Sequence, residues 1–396
     1  MNVDYQKIDE QHYLPTYKRF PLTITHGKGS RVWDSNGKEY IDALAGIAVN
    51  SLGHSHPKVV DAIKNQAEKL IHISNFYLTE PQALLSQKLA ELSGLPRVFF
   101  GNSGAEANEG AIKIARKYAH KHGRGGEIIS FEGCFHGRTL ATIATGKRSM
   151  QEGFEPIPGG FKSAPFNDIE TLKMMISEET AAIIIEPIQG EGGINVVDKE
   201  FMNELRKLCD ENNIVLIFDE IQCGIGRTGY FFAKDYFGVQ PDILTSAKAL
   251  GSGVPISAIL TTEKISEVIK PGDHGTTFGG NALATAASMA AIEAIESENL
   301  ANDAAEKGCW IMQQVKERGA ESIGIKEIRG LGLMIGFEFD REAKPIVEEM
   351  MANGVLANAT AGNVLRIVPP LNISYEDLEI VIDVMFKSAK KVQAND

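Results

Sequence analysis

Short apolar segments alternate with helix-like segments through the middle of the chain, and this alternation restricts the possible folds more than any other feature. The helix-like segments include Ala105–His120 and Lys199–Asn212. The strand candidates are Val98–Phe100, Ile128–Phe131, Ala182–Glu186, Val215–Asp219, Asp242–Thr245 and Ile256–Leu260. Strands that alternate with helices predict an α/β fold in which a mostly parallel sheet is covered by helices on both faces.

The two ends of the chain differ from the middle in their sequence pattern. After about residue 285, helical patterns at Leu283–Glu298 and Ala301–Gly319 precede the Gly- and Ile-rich segment Lys326–Phe339 and a last helix near Tyr375–Lys391. The first forty-odd residues hold a hairpin signal around the turn dipeptide Asn36-Gly37, with Gly29–Asp34 and Lys38–Ile41 as its strands. Because 396 residues exceed one ordinary core, we expect two domains. The predicted division is a large domain at 49–285 and a smaller α+β domain at 286–396, which residues 1–48 join.

Bulk composition excludes several classes of protein. A formal net charge of −12 disfavours nucleic acid or an anionic membrane as a general partner. Four scattered cysteines without a CxxC pair indicate neither a disulfide framework nor a zinc site, and no H-E-x-x-H occurs among the nine histidines, so no metal is expected. No apolar stretch approaches about 18 residues and no secretory signal is visible, which predicts a cytoplasmic protein without membrane contact.

Asp219 and Lys248 each stand at the end of an apolar, strand-like run. Asp219 closes Ile214–Asp219, whereas Lys248 follows Ile243–Ala247 and precedes the Gly-rich Ala249–Gly253. Ligands of open α/β sheets bind outside the carboxyl ends of the strands, where both side chains would lie. There a lysine can hold pyridoxal 5′-phosphate (PLP) as a Schiff base, and a buried carboxylate can keep the pyridine nitrogen protonated. A surface acid and an exposed lysine are the alternative.

The segment Gly101–Glu109 follows a strand candidate and opens a helix-like pattern. Small residues at a helix start let backbone N–H groups approach an anion, and the helix dipole adds to the attraction. Ser103 can donate to a phosphate there, or it can simply cap the helix with Glu106 in a capping box; the two alternatives have equal weight. Neither a P-loop nor a G-x-G-x-x-G after a strand occurs, so a nucleotide-binding protein is poorly supported.

Further polar residues lie in loops that chemistry could use. Phe135–Thr139 offers a ring that could stack on a planar cofactor, and Arg138 could bind a carboxylate with two hydrogen bonds. Glu186–Gly193 ends a strand with two carboxylates among glycines, and Thr276–Asn281 presents hydroxyls before a helix. Taken one at a time, each loop is equally typical of an ordinary turn or cap. Arg366 lies within an apolar run, where burial of an arginine requires an anionic partner.

Taken in order, these segments resemble the class-III, fold-type I PLP-dependent aminotransferases over essentially the whole chain. Their order and spacing are highly specific for this superfamily and less specific for the substrate. The resemblance implies a large, mostly parallel-sheet domain with helices on both faces, a smaller α+β domain, and transamination with PLP. The segments that carry it are Asn102–Glu109, Ala111–Arg116, Phe135–Thr139, Glu186–Gly193, Phe218–Gln222 with Gly226–Gly229, Ala247–Leu250 and Thr276–Asn281.

The resemblance also implies a role for each matching residue. Lys248 would hold the cofactor and later move a proton, and Asp219 would pair with the pyridinium nitrogen so that the ring accepts electrons. The other implied cofactor contacts are Gln222 at the phenolic oxygen, Phe135 on the ring face, Ser103, Gly104 and Ala105 at the phosphate, and Thr277 at the phosphate of the neighbouring subunit. The last role implies a homodimer with shared active sites.

Two arginines would let one pocket accept two different substrates. By resemblance, Arg138 binds the distant carboxylate of an acylated ω-amino acid or the side-chain carboxylate of glutamate, and Arg366 binds the α-carboxylate of glutamate. Glu191 would pair with Arg366 while the ω-amine substrate is bound, because an unpaired arginine beside an apolar chain is costly. Tyr17 is assigned to the same substrate site.

These roles predict a ping-pong transfer from N-acetylornithine to 2-oxoglutarate, as in arginine biosynthesis, giving N-acetylglutamate 5-semialdehyde and glutamate. Succinylornithine, ornithine, 4-aminobutyrate and succinyldiaminopimelate are the alternative donors, because a pocket distinguishes one methylene by only about 1–3 kcal/mol. Ile47, where ornithine-specific members tend to carry an aromatic residue, mildly disfavours ornithine. A NAD-dependent dehydrogenase would need the glycine fingerprint that is missing. A non-catalytic scaffold is disfavoured because both Lys248 and Asp219 are present.

Overall fold

The computed structural model describes residues 3–395, which form a central seven-stranded sheet, two four-stranded sheets and a two-stranded ribbon. The strands are β1 (Ile24–Lys28), β2 (Arg31–Asp34), β3 (Glu39–Asp42), β4 (Arg97–Gly101), β5 (Glu127–Phe131), β6 (Phe161–Ala164), β7 (Thr180–Ile185), β8 (Ile188–Gln189), β9 (Asn195–Val196), β10 (Val215–Asp219), β11 (Ile243–Ser246), β12 (Ser257–Thr261), β13 (Ile325–Leu331), β14 (Met334–Phe339), β15 (Val355–Leu356), β16 (Asn358–Thr360) and β17 (Val364–Ile367).

Helices connect and cover these strands. They are α1 (Tyr5–His12), α2 (Ala45–Ala48), α3 (Pro57–Lys69), α4 (Glu80–Ser93), α5 (Gly104–Lys121), α6 (Leu140–Ala144), α7 (Ile169–Met175), α8 (Lys199–Asn212), α9 (Lys234–Phe237), α10 (Glu263–Ser266), α11 (Ala282–Ser297), α12 (Leu300–Glu317), α13 (Lys344–Ala352) and α14 (Tyr375–Gln393). None of the helices within residues 3–395 has the length and apolar character needed to cross a membrane.

The central sheet has the strand order β4-β12-β11-β10-β7-β5-β6. All its strands run parallel except β12, which is antiparallel to both β11 and β4. Strand β7 shows why both faces are covered, because all its residues are buried. Ala182 and Ile184 pack in one core with helix α5, whereas Ile183 and Ile185 pack in another with helix α8. The predicted mostly parallel sheet with helices on both faces is confirmed.

Helix α8 illustrates how the sequence produces the covering layer. Its buried residues Phe201, Met202, Leu205 and Cys209 recur every three or four positions, so they form a single apolar stripe along the helix. The opposite face is polar and faces solvent. The helix ends where Asn213 adopts a left-handed conformation (φ 50°), a common way to terminate a helix. This stripe covers the face of the sheet opposite α5.

The two ends of the chain meet in the smaller sheets. The hairpin predicted around Asn36-Gly37 is present as β2 and β3, and β3 also pairs in parallel with β15 from the C-terminal part of the chain. Strands β13 and β14 form a hairpin in the Gly- and Ile-rich segment, and β17 and β16 extend that sheet. Helix α11 packs against α3 and α4, so it bridges the predicted boundary at residue 285. The domain boundaries themselves stay predictions.

Candidate active site

The carboxyl ends of β4, β5, β7, β10 and β11 open into a cavity of about 430 Å³. This volume is typical of a small-molecule site. Its apolar wall is formed by Val49, Ile221, Val254, Pro255 and Ile256. Its other lining residues include Ser103, Gly104, Ala105, Phe135, Arg138, Glu186, Asp219, Gln222 and Lys248. Residues that lie far apart in the sequence therefore meet at one edge of the sheet.

Asp219 is buried at the floor of the cavity, where donors hold its carboxylate in one orientation. Its Oδ2 accepts hydrogen bonds from Asn108 Nδ2 and from His136 Nδ1, each at 2.7 Å. Its Oδ1 accepts from the backbone N–H of Ile221 at 3.0 Å. Asn108 in turn accepts from the Thr245 hydroxyl at 2.8 Å, so the carboxylate is fixed by a connected, buried network.

His136 carries positive charge into this network. Burial alone would lower the pKa of His136, but the neighbouring Cys134 sulfur and the Asp219 carboxylate outweigh burial, so the pKa lies well above its ordinary value. The imidazole is completely buried, and its Nε2 has no hydrogen-bond partner within the described residues. His136 and Asp219 thus form an ion pair beneath the cavity.

The sequence interpretation assigned no role to Asn108 or His136. For Asn108 a signal existed, because it lies on the same helical face as the buried residues Ala111, Ile112 and Ala115. A buried polar residue within an apolar face needs hydrogen-bond partners, which marks the position as unusual. His136 offered no comparable signal, since its loop reads as an ordinary turn.

Lys248 follows β11 and projects into the cavity in an uncommon backbone conformation, with φ of 44°. Non-glycine residues rarely adopt positive φ, and such strain is typical of functional sites. Burial lowers the pKa of the Lys248 ammonium, an effect that Glu191 only partly opposes. A lysine with a lowered pKa is more often neutral and therefore nucleophilic. Within residues 3–395 its amine forms no hydrogen bond.

At the start of helix α5 the structure shows Ser103 as a helix cap, whereas its contact with a phosphate stays a prediction. The Ser103 hydroxyl accepts from the backbone N–H of Glu106 at 3.2 Å and so caps the helix. The Glu106 carboxylate accepts from the N–H of Asn102, one residue before the cap, at 2.7 Å. A side chain at Gly104 would lie 2.8 Å from Ile221, so the backbone approaches the cavity wall closely. The first-turn N–H groups of a helix have no partners within the helix and remain available to an anion.

Phe135 and Arg138 form one side of the cavity. The Arg138 guanidinium lies 5.5 Å from the centroid of the Phe135 ring, within range of a cation–π interaction. Arg138 is exposed, so a charged substrate can reach it. The backbone N–H of Phe135 donates to the Glu186 carboxylate at 2.9 Å. Burial raises the pKa of Glu186 to about 7, with His136 lowering it and Asp219 raising it.

Arg366 is completely buried and has the anionic partner that its burial requires. Its Nη1 donates to Glu191 Oε1 at 2.6 Å and to Gln222 Oε1 at 3.0 Å, and its Nε donates to Asn358 at 3.0 Å. Burial raises the pKa of Glu191, but the Arg366 charge outweighs burial and the pKa is lowered overall. Nη2 has no partner within the described residues. Gln222 lines the cavity and so connects it to this ion pair.

Two predicted site residues lie outside the cavity formed by this chain alone. Tyr17 is 69% exposed and packs against Tyr13 and Arg19. Thr277 is exposed in the loop before helix α11, next to Phe278. Neither residue lines the cavity that the described part of the chain forms.

Comparisons with known proteins agree with this geometry. The family model "Aminotransferase class-III" matches residues 13–388. The chain belongs to the class-III aminotransferases. It is 54% identical to the acetylornithine aminotransferase of Methanocaldococcus jannaschii, across 97% of this chain and 98% of that protein. It is 48% identical to the acetylornithine aminotransferase of Methanothermobacter thermautotrophicus, across 96% of each chain.

Solved structures show the same fold. An ornithine aminotransferase from Toxoplasma gondii, with PLP at partial occupancy in its active site, superposes with a TM-score of 0.95 at 36% identity and covers 99% of this chain and 95% of its own. An acetylornithine aminotransferase from Elizabethkingia anophelis superposes with a TM-score of 0.88 at 34% identity, covering 98% of each chain. Both are class-III aminotransferases, and this family uses PLP as its cofactor.

The residues of this cavity fit such a cofactor. Lys248 offers an amine without a hydrogen-bond partner among the described residues, and Asp219 lies at the floor, where a ring nitrogen needs an acid. The start of helix α5 offers backbone N–H groups to a phosphate, and Gly104 lets that backbone approach closely. Phe135 provides an aromatic face. Which of these groups touches the cofactor stays a prediction.

Proposed function

We propose that this chain transfers the distal amino group of N-acetylornithine to 2-oxoglutarate with PLP, a step of arginine biosynthesis. The observation that carries this proposal is the buried Arg366–Glu191 pair, connected through Gln222 to a cavity that contains Lys248 and Asp219. The relatives named acetylornithine aminotransferase, at 54% and 48% identity, support N-acetylornithine as the donor.

When bound, PLP supplies an electron sink that stabilises negative charge on the carbon bearing the reacting amine. The chain's own residues move the proton and hold the cofactor. Lys248 Nζ accepts the proton from that carbon, and burial, which lowers the pKa of its ammonium, favours the neutral amine that this role needs. Asp219 holds a proton at the ring nitrogen, and the His136 charge fixes the Asp219 carboxylate for that role. When PLP is bound, Phe135 would pack on its ring and the start of helix α5 would hold its phosphate.

The two arginines explain how two substrates use one cavity. Arg138, exposed at the cavity, binds the distant carboxylate of N-acetylornithine or the side-chain carboxylate of glutamate. Arg366 binds the α-carboxylate of glutamate after Glu191 moves away, and its unpartnered Nη2 offers a second donor for that carboxylate. With N-acetylornithine bound, Glu191 stays on Arg366, so no buried cation is left unpaired beside the substrate's methylenes.

A homodimer with shared active sites, in the cytoplasm, is part of this proposal. Phe76 and Leu78 are 93% and 96% exposed, and Phe278 beside Thr277 is also exposed. Asn75 donates to the Thr276 and Gly279 carbonyls, which holds these two segments together as one apolar surface. Monomers rarely expose large apolar surfaces, so these side chains support contact with a second copy of the chain, and Thr277 lies in the same exposed loop. Analytical ultracentrifugation of the purified protein tests the dimer.

Visible absorption of the purified enzyme with PLP tests the function. We expect a yellow band that bleaches rapidly with L-glutamate and with N-acetylornithine, and slowly with ornithine. A band that bleaches with glutamate alone would reject N-acetylornithine and keep the aminotransferase. The absence of any band after addition of PLP would reject the assignment of Lys248 and Asp219.

A further inference from the structure

Glu186 is a buried carboxylate that lines the cavity and has no assigned part in the reaction. It stands directly after strand β7. Its Oε2 accepts from the backbone N–H of Phe135 at 2.9 Å, and its Oε1 accepts from the backbone N–H of Gly190 at 3.4 Å. It forms no ion pair with a lysine or arginine within residues 3–395. Its hydrogen bonds therefore hold two loops.

One of these loops carries the carboxylate that covers Arg366. Gly190 precedes Glu191 directly, and it packs so closely on Gln222 that a side chain at position 190 would lie 2.2 Å from Gln222 Oε1. That same oxygen accepts from Arg366 at 3.0 Å. A chain of contacts therefore runs from the Glu186 carboxylate through Gly190 to the Glu191–Arg366 ion pair.

The other side of the loop is held separately. The Glu191 carbonyl accepts from the Thr360 hydroxyl at 2.6 Å. Glu191 thus projects from a turn that is anchored at the preceding residue by Glu186 and at its own carbonyl by Thr360. Loss of the first anchor would leave the turn attached through Thr360.

We propose that Glu186 is a positioning residue that holds Glu191 against Arg366 and thereby sets the preference of the enzyme between the ω-amine substrate and glutamate. This inference rests on the proposed function of the Glu191–Arg366 pair. The ω-amine half-reaction needs Glu191 on Arg366, since otherwise a buried guanidinium stays unpaired. The glutamate half-reaction needs Glu191 off Arg366, because the substrate's own carboxylate takes its place.

Glu186→Gln is the direct test. The amide has nearly the shape of the carboxylate, but its NH₂ group cannot accept from a backbone N–H. We expect the amide oxygen to keep the shorter bond from Phe135, so the longer bond from Gly190, which anchors Glu191, is lost. Glu220→Gln is a matched control. Glu220 is also a buried carboxylate, and it stands directly after strand β10. It accepts hydrogen bonds from the backbone N–H groups of Ala233 and Lys234. Glu220 does not line the cavity described above.

The first measurement is the binding of glutarate, a dicarboxylate without an amine, to the PLP-loaded enzymes by calorimetry at pH 8, above the pKa of Glu186. A carboxylate must displace Glu191 to reach Arg366. We therefore expect glutarate to bind at least about fivefold more tightly to E186Q than to the wild type, a difference of roughly 1 kcal/mol at 1.4 kcal/mol per tenfold. E220Q should bind like the wild type. Unchanged or weaker binding to E186Q would overturn the inference, because a merely structural defect weakens binding.

The second measurement compares the two half-reactions by stopped-flow absorbance. The kcat/KM ratio of N-acetylornithine to glutamate should fall about tenfold in E186Q and change less than about twofold in E220Q, since only the first loses the Glu191 anchor. Glu191→Gln should shift the ratio in the same direction. The double variant E186Q/E191Q should shift it no further than E191Q, because both act through one side chain. Additive shifts would overturn the inference.

The wild-type protein separates this inference from the proposed function. If the wild type turns over glutamate but not N-acetylornithine, the proposed donor is wrong. The ω-amine that it does accept then replaces N-acetylornithine in the same comparison. The glutarate measurement needs no amine donor at all, so its outcome decides the role of Glu186 in either case.

Discussion

We expect the replacement of Arg366 by alanine to affect the two proposed half-reactions unequally. The guanidinium is completely buried, its Nη2 has no partner within residues 3–395, and in the proposed function Nη1 and Nη2 donate to a substrate carboxylate. Removing the charged partner of a buried, hydrogen-bonded carboxylate typically costs about 2–5 kcal/mol. At 1.4 kcal/mol per tenfold, kcat/KM for glutamate should fall by about 30- to 4,000-fold.

The N-acetylornithine half-reaction provides the internal control for this variant. In the proposed function Arg366 pairs only with Glu191 while that substrate is bound, so its loss should remove no contact to the reacting molecule. The Glu191 side chain is 34% exposed and water can solvate it after the substitution. We expect kcat/KM for N-acetylornithine to fall by less than about tenfold, because no substrate hydrogen bond is lost.

Single-turnover stopped-flow measurements with each substrate, on the PLP-loaded protein, determine both constants. Arg366→Lys retains the charge but loses the planar pair of donors, so its loss with glutamate should lie between those of the wild type and the alanine variant. Equal losses in the two half-reactions of Arg366→Ala would refute the assignment of this arginine to the α-carboxylate of glutamate.

Three further changes test the floor of the cavity and its surroundings. Lys248→Ala should slow transamination by about 10²–10⁴-fold, since it removes the group that moves the proton. Borohydride should no longer attach PLP covalently to this variant, and retained attachment would contradict the assignment. Asp219→Ala should lower the free energy of unfolding by about 3–5 kcal/mol in urea denaturation, because the buried His136 charge loses its partner, and a change below about 1 kcal/mol would contradict the ion pair. Glu220→Gln should flatten the pH dependence of stability. Burial raises the pKa of Glu220 to about 8, so between pH 5 and 8 the folded state keeps a proton that the unfolded state has released. The free energy of unfolding of the wild type should therefore fall as pH rises, by up to about 1.4 kcal/mol per pH unit. Parallel curves of stability against pH for the two proteins would refute this.

The fold was predictable where a local pattern has one geometric outcome. Apolar runs that alternate with helical segments predicted the central sheet, and the convergence of parallel strand ends placed Asp219 and Lys248 in one cavity although they are far apart in sequence. The reversed direction of β12 was not predictable in this way. An apolar run has the same pattern in either direction, and only the short connection from β11 through Lys248 shows that the chain turns back.

Other features depend on contacts that no local pattern encodes. Arg366 and Glu191 meet across 175 residues, and the residues alone required only that a buried arginine have some anionic partner. The resemblance to the family supplied the identity of that partner. The antiparallel pairing of β17 with β14 and β16, which holds Arg366 in place, follows from the packing of the small sheet. The resemblance also assigned Tyr17 and Thr277 to the site, but the described part of one chain does not bring them to the cavity.

The buried carboxylates near the strand ends differ in protonation because their neighbouring groups differ. Glu186 and Glu220 accept hydrogen bonds mainly from backbone N–H groups, and burial raises their pKa values to about 7 and 8. Both therefore hold a proton for much of the time near neutral pH, which limits the negative charge beneath the cavity. Asp219 instead faces the charged imidazole of His136, and that ion pair has no net charge. Arg366 is likewise balanced by Glu191, whereas Arg138 has no ion pair within residues 3–395, so its charge favours the carboxylates of both proposed substrates.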